Sequence, residues 1–233
     1  MKEILLNINA DVGEGIGNEH LLFPLISSCN IACGGHTGDL ESMLAIVKLA
    51  KKHKLKMGAH PSFPDKENFG RKTISISKDE LLKSLIYQIE SLNRILIKEN
   101  CSLHHVKPHG ALYNLAANDK ETAKIIVDIM KKIDVKLYVP YSSLIAKIAK
   151  KANVQIYYEL FLDRNYNSDL TLVSRKNDNA LIKDSNVMFK HAYSIINNKT
   201  IISIDQIKVP VKYDTLCIHA VSYTHLTLPT NRE

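Results

Sequence analysis

Along the chain, short apolar runs end in polar residues and are followed by longer stretches whose apolar positions recur every three or four residues. The first run, from about Ile4 to Ala10, breaks into Asp11-Val-Gly-Glu14-Gly, where glycines allow a sharp turn. A short helix over about Glu19 to Ile26 precedes a second strand through Ser28, Cys29, Asn30 and Ile31, which opens into Ala32-Cys33-Gly-Gly-His36. Met43, Leu44, Val47 and Ala50 then mark an amphipathic helix from Asp39 to about His53, with Asp39 at its N-cap. A strand at Lys56 to Ala59 stops at His60-Pro61, because proline removes a ladder donor and constrains the residue before it.

The alternation continues. Ser77 with Glu80 three residues later predicts a capping box, starting the longest helix, which runs to about Glu99. The next strand ends in His104-His105-Val-Lys107-Pro-His109-Gly. Helices follow over about Asp119 to Ile133 and Ser142 to Ala152, with strands at Lys136 to Val139 and Val154 to Tyr158. The run Glu159 to Tyr166 reads as loop, a helix covers about Leu181 to Asn197, and a last strand covers Thr215 to His219. Strands alternating with helices imply a parallel sheet, since parallel neighbours need a crossover. Seven such strands predict an α/β fold: a seven-stranded, TIM-like β/α barrel in one domain over residues 1–219, with the working residues in the loops after the strands.

Composition narrows the function classes. The chain of 233 residues, 45% hydrophobic and 24% charged, suits one globular domain. The net charge of +7 comes from lysines scattered along helices, with five arginines and no clustered basic module, so solvated helix faces account for it better than nucleic acid. No basic segment followed by an apolar stretch and a cleavage site opens the chain, and apolar runs fall short of the roughly twenty residues of a membrane span, so a cytoplasmic protein is expected. Cys29, Cys33, Cys101 and Cys217 form no C-x-x-C pair and read as free thiols, with Cys33 kept open as reactive because of its place at a strand end.

Four polar runs at strand ends carry the candidate chemistry. Asp11 and Glu14 are two carboxylates on one glycine-flanked loop, a pairing that turns also use for hydrogen bonding. Asn30, Cys33, His36 and Asp39 form the second group, where Asp39 has the competing reading of a helix cap. In the third, His60 and Arg71 share a proline-stiffened loop. The Arg71 fork suits a substrate carboxylate, or equally a salt bridge to Asp65 or Glu67. In the fourth, Lys107 and His109 lie two apart and share one side of the chain, with Tyr113 and Asn114 following. Lys107 suits anchoring a carboxylate or stabilising negative charge, and His109 suits acid or base work. Three histidines and an aspartate at one barrel mouth also fit a divalent metal, although no compact motif such as H-E-x-x-H is present, and metal dependence stays open.

At these residues the chain resembles the LamB/YcsF family, the A subunits of bacterial ATP-dependent 5-oxoprolinase. The likeness rests on N-A-D-V-G-E (9–14), S-C-N-I-A-C-G-G-H-T-G-D (28–39), G-A-H-P-S-F-P-D-K-E-N-F-G-R (58–71) and H-V-K-P-H-G-A-L-Y-N (105–114), with family-like segments at Glu159 to Tyr166 and Leu172 to Arg175. It implies a barrel akin to those of sugar deacetylases, working with B and C subunits in a cytoplasmic hydrolase. That assembly would cleave the cyclic amide 5-oxoproline to L-glutamate using ATP. Partner subunits would bind ATP and phosphorylate the substrate, consistent with the lack of a P-loop lysine motif in this sequence.

On that reading Asp11 or His109 activates water, Lys107 and Arg71 hold carboxylate or phosphate, and His36 and His60 orient the intermediate. Glu14, Asn30, Asp39, Tyr113 and Asn114 would complete the substrate site. The resemblance stops at about residue 219: the family pattern continues with Gly-Asp and a closing helix, whereas residues 220–233 have no helical period and read as a foreign or out-of-frame ending. Two alternatives carry different tests. A stand-alone metal-dependent deacetylase or amidohydrolase would act without ATP or partners, and a non-catalytic small-molecule-binding protein of the complex would tolerate loss of Lys107 and His109.

Overall fold

The computed structural model describes residues 6–219; the atypical ending and the first residues of the expected opening strand lie outside them. In chain order the elements are β1 (Ile8–Val12), α1 (Glu19–Leu22), β2 (Ser28–Ala32), α2 (Leu40–Lys52), β3 (Lys56–His60), α3 (Lys78–Lys98), β4 (Leu103–Val106), α4 (Gly110–Ala116), α5 (Lys120–Met130), β5 (Lys136–Pro140), α6 (Leu144–Lys151), β6 (Ile156–Phe161), α7 (Ser185–Asn198), β7 (Thr200–Ile202), β8 (Lys208–Pro210) and β9 (Thr215–Cys217). Strands β1, β2, β3, β4, β5, β6 and β9 pair in that order, all parallel, and β9 closes back onto β1. The result is a TIM-like α/β barrel of seven described strands, as the alternating pattern predicts.

Local signals set the helix boundaries. Asp39 accepts from the Ser42 amide and Ser77 from the Glu80 amide, each with the reciprocal bond that makes a capping box. Asp119, Ser143 and Asp184 cap α5, α6 and α7 in the same manner, by accepting backbone amides of the first turn. Beyond α3 and α6 the chain turns through Asn100 and Asn153 in the left-handed region, φ 55° and 56°, which asparagine tolerates better than most side chains.

Three departures from the sequence reading bear on the site. Strand β6 runs to Phe161, so Glu159 is a strand residue and not part of a loop. The segment after His109 is a helix, α4, which buries Leu112 and Tyr113. An antiparallel hairpin, β7 and β8, stands between α7 and β9, outside the barrel. Its three-residue strands are too short to show a period of two, and one ends in proline.

Alternation along each strand divides the core into two parts. Ala10, Val12, Cys29, Ile31, Met57, Ala59 and Val106 join the helices in the main apolar cluster. Their neighbours are polar and buried: Asn9, Asp11, Ser28, Asn30, His105 and Lys107. The barrel interior is therefore held by hydrogen bonds rather than by layers of branched aliphatics. Parallel register aligns Asp11 with Asn30, Asn30 with Gly58, and Gly58 with His105. A Cβ on Gly58 would fall 2.1 Å from His105 Nε2, so only glycine leaves room for that imidazole.

Candidate active site

The deepest polar layer fixes the groups above it. Asn9 Nδ2 donates to Thr215 Oγ1 at 2.9 Å, and Asn30 Nδ2 donates to Asn9 Oδ1 and Asp11 Oδ1, both at 2.7 Å. His105 Nε2 lies 2.6 Å from Asn30 Oδ1, and the His105 ring stacks on Tyr138 at 4.0 Å. Asn30 thus sits beneath the mouth and orients Asp11; it does not line the cavity.

Lys107 is fully sequestered. Its Nζ lies 2.9 Å from Asp11 Oδ1 and 3.1 Å from Glu159 Oε1, with Cys217 Sγ also at 3.1 Å. Burial alone would lower this ammonium, but Asp11, Cys217 and Glu159 hold it well above its usual range. Burial would likewise raise Asp11, yet the adjoining His60 imidazole and Lys107 ammonium outweigh it and keep that carboxyl well below its usual range. Lys107 is committed to two carboxylates of its own chain, so the substrate-anchoring role expected of it is not what its geometry provides.

Above Asp11, three imidazoles and Glu14 converge from the ends of different strands. His36 Nε2 is 3.1 Å from Glu14 Oε1, His109 Nδ1 is 3.4 Å from the same oxygen, and His60 Nε2 is 3.3 Å from Asp11 Oδ2. His60 Nε2 and His109 Nδ1 are 2.9 Å apart. The far nitrogens of these two rings face main-chain carbonyls: His60 Nδ1 the oxygen of Lys107 at 2.7 Å, and His109 Nε2 that of Phe69 at 3.0 Å. His36 stacks on His109 with centroids 3.7 Å apart and planes 3° from parallel. Burial, with neighbouring imidazoles, pushes His109 well below its usual value, and burial lowers His36 too.

A second pair sits across the mouth. His219 Nδ1 is 2.9 Å from Asp163 Oδ2, its Nε2 points toward Asp11 Oδ2 at 3.6 Å, and its ring stacks on Phe161 at 5.5 Å. Asp163 is completely buried and also accepts the His219 backbone amide at 3.1 Å. A carboxylate behind one nitrogen fixes the tautomer and presents the other nitrogen to the cavity.

The cavity enclosed by these groups is about 370 Å³, lined by Asp11, Glu14, His60, Lys107, His109, Tyr113, Asn114 and His219. Arg71, Arg164, Arg175 and Lys176 line it as well. Arg164 is clamped by the carbonyls of Ala180 at 3.2 Å and Val173 at 2.7 Å, and desolvation with the Arg175 charge lowers it to about 10. Arg71 lies over the Phe69 ring at 4.9 Å and makes no ion pair with Asp65 or Glu67, whereas Asp65 Oδ1 accepts from Asn68. Burial and the adjacent Glu159 charge raise the Tyr113 phenol well above its usual range.

Four sequence candidates, Asn30, Cys33, His36 and Asp39, fall outside the cavity lining. Asp39, expected to bind substrate, is an exposed cap of α2 whose carboxylate is occupied by Ser42. Cys33 is buried and its thiol is pushed up to about 12 by desolvation, which removes the reactive thiolate. His36 is buried behind Glu14 and His109 rather than exposed to a ligand. Glu159, Asp163, Arg164, Arg175 and His219 are site residues that the sequence reading does not single out. For Asp163, Arg164 and His219 the signal is the polar residue or run just beyond β6 and β9, whereas Glu159 lies within β6 and Arg175 in the long loop after it.

Comparison with known proteins agrees with this fold. The sequence model of the LamB/YcsF family matches residues 6–229. The chain belongs to the LamB/YcsF family. That match extends into the segment after residue 219 which the sequence reading sets apart. A relative from Haemophilus influenzae (strain PittEE), named as the A subunit of 5-oxoprolinase, is 40% identical over 221 residues, covering 94% of this chain and 89% of that protein. One of the same name from Staphylococcus aureus (strain JH9) is 38% identical, covering 92% and 88%. The crystal structure of a lactam utilization protein from Thermus thermophilus superposes with a TM-score of 0.88 at 37% identity, covering 94% of this chain and 92% of that one. A putative cellobiose-phosphate cleavage protein from Enterococcus faecalis V583 shares the fold alone, at a TM-score of 0.53 and 13% identity, covering 92% and 79%. These relatives' names place the family among hydrolases, and the designation of an A subunit implies further subunits. Among the described residues no helix is long and apolar enough to cross a membrane.

Proposed function

We propose that this chain opens the ring of activated 5-oxoproline as the A subunit of an ATP-dependent 5-oxoprolinase, with B and C subunits supplying the ATP chemistry. The observation that carries the reading is that the Asp163–His219 pair, the Asp11 carboxylate and three arginines meet around one small cavity. An anionic amino-acid derivative fits that combination of groups: Arg71, Arg164 and Arg175 receive carboxylate or phosphate, and the Asp163–His219 pair performs the proton transfers.

A five-membered lactam is a poor electrophile, and phosphorylation of its oxygen makes the ring carbon easier to attack. Water adds to that carbon, the carbon–nitrogen bond breaks, and the nitrogen leaves with a proton. The acyl phosphate so formed reacts with a second water to give L-glutamate and phosphate. His219 Nε2 is the group for the proton steps, since Asp163 holds the opposite nitrogen. Asp11 and His109, the bases expected from sequence, are poorly matched to that task. Both are held well below their usual proton affinity, so Asp11 acts as a fixed negative charge and His109 stays neutral near pH 7. Lys107 sets the position and ionisation of Asp11.

The test is glutamate production from 5-oxoproline with ATP, with and without B and C proteins. His219→Asn and Asp163→Asn are expected to lower kcat by about 10²–10⁴-fold at near-constant assembly, and Arg71→Ala to raise KM. Full turnover by a folded, assembled His219→Asn complex would remove His219 from the mechanism. A second reading, a metal-dependent deacetylase or amidohydrolase acting alone, draws on the convergence of Glu14, His60 and His109. Hydrolysis without ATP or partners would favour it.

A further inference from the structure

We infer that Glu14, His60 and His109 form a binding site for one divalent transition-metal ion of the zinc class, with His36 bracing Glu14 and an open position facing the cavity. A carbonyl oxygen only accepts hydrogen bonds, so the nitrogens of His60 and His109 that face the Lys107 and Phe69 carbonyls carry the ring protons. In the neutral rings the other two nitrogens are then bare lone pairs, and these are the two that face each other at 2.9 Å. Glu14 Oε1 lies 3.4 Å from one and 3.9 Å from the other, and Asp11 Oδ2 is 3.3 Å from His60. Acceptors crowd one point with no proton between them, an arrangement that repels itself unless a cation occupies the centre.

The spacing agrees with an ion rather than with hydrogen bonding. Zinc bonds of about 2.0–2.1 Å in a tetrahedral site imply ligand atoms about 3.3 Å apart, and the three edges of this triangle are 2.9, 3.4 and 3.9 Å. Pinning the remote N–H of each ligand histidine to a carbonyl is also how metal-binding imidazoles are commonly oriented. His36 cannot join as a further ligand in its present orientation. Its plane is parallel to that of His109, and two parallel planes share no point at which a single ion lies in both. Its Nε2 instead faces Glu14 Oε1 at 3.1 Å and donates to it. Two imidazoles and a carboxylate, with Asp11 adjacent, suit zinc, cobalt, nickel, manganese or ferrous iron, and not calcium or magnesium. When bound, such an ion would polarise a water or a ring oxygen entering the open position.

This site deepens the hydrolytic reading, on which it rests, yet it is tested without turnover. Full-length protein is stripped with a chelator, supplied with Zn²⁺ or Co²⁺, desalted, and its metal measured by mass spectrometry, alongside the visible spectrum of the cobalt form. About one equivalent is expected, lost in His109→Gln and His60→Gln, with affinity for Zn²⁺ falling more than about 10–100-fold. His20→Ala, a surface histidine, is the control expected to retain it. Circular dichroism identifies variants that have not folded, and Glu14→Gln provides a third, isosteric probe. Folded wild-type protein that retains no metal, or variants that retain all of it, would overturn the site. Metal retention without glutamate formation in the full complex would leave the site intact and count against the ring-opening reading instead.

Discussion

At the scale of single residues the site depends on a few contacts with no slack. Replacing Lys107 by Met leaves Asp11 and Glu159 buried without their shared cation, and uncompensated buried charge costs about 3–5 kcal/mol. A chemical denaturation series should show that loss, accompanied by loss of turnover. Gly58→Ala drives a methyl group into His105. Overpacking of about 1–3 kcal/mol should appear as a lower Tm, relieved in part by Gly58→Ala combined with His105→Ala. Cys29, Cys33 and Cys217 are buried with raised thiols. Iodoacetamide at pH 7.5 should therefore label Cys101 first, and rapid native labelling of Cys33 would contradict its assignment as a packed core residue. Asp39 and Cys33 also show why residue type alone misleads: both stand in the glycine-rich run with His36, but one faces solvent on a helix cap and the other packs outward against helices.

At the scale of elements, legibility follows length and repetition. The helices α2, α3, α5 and α6 have enough turns to display their apolar stripe and carry cap residues at the start, so their existence and type can be read directly. Strand β6 is misplaced by the sequence pattern because Glu159 looks like the end of an apolar run, although Lys107 neutralises it and the strand continues through Leu160 and Phe161. That one misreading hides the Asp163–His219 pair, since it puts the polar mouth too early on this strand. The first four strand ends are legible because glycine or proline marks each of them; β9 has no such marker before His219. Capping predicts a modest, separable effect: Ser77→Ala should cost about 1 kcal/mol in thermal unfolding without altering KM, because Ser77 and α3 contribute nothing to the lining of the cavity.

At the scale of the whole molecule, the polar interior makes stability depend on pH. His105 and His109 are held well below the ordinary value of 6.5 in the folded chain. Below that pH the unfolded chain binds protons the folded one refuses, so stability declines as pH falls, by about 1.4 kcal/mol per pH unit for each histidine. Asp11 adds stability above its ordinary value of 3.8 that is lost as pH drops through its lower folded value. Lys107 works in the opposite sense: its stabilisation is complete below 10.5 and is lost as pH rises through its higher folded value. Cys29, Cys33 and Cys217 stay protonated in the folded chain above the ordinary thiol value of 9.0, so stability also declines as pH rises past it. Melting curves of the metal-free protein should thus be highest between roughly pH 6.5 and 9 and fall on either side; a flat profile from pH 7.5 to 5 would show that the buried imidazoles already take up protons. The two carbonyls that pin His60 and His109 belong to the main chain at Lys107 and Phe69. Every amino acid supplies that same acceptor, so drift at position 69 leaves the tautomers untouched while the local path of the backbone persists. The tautomers at the site are thus set by the path of the main chain at two points, where a comparison of side chains does not look.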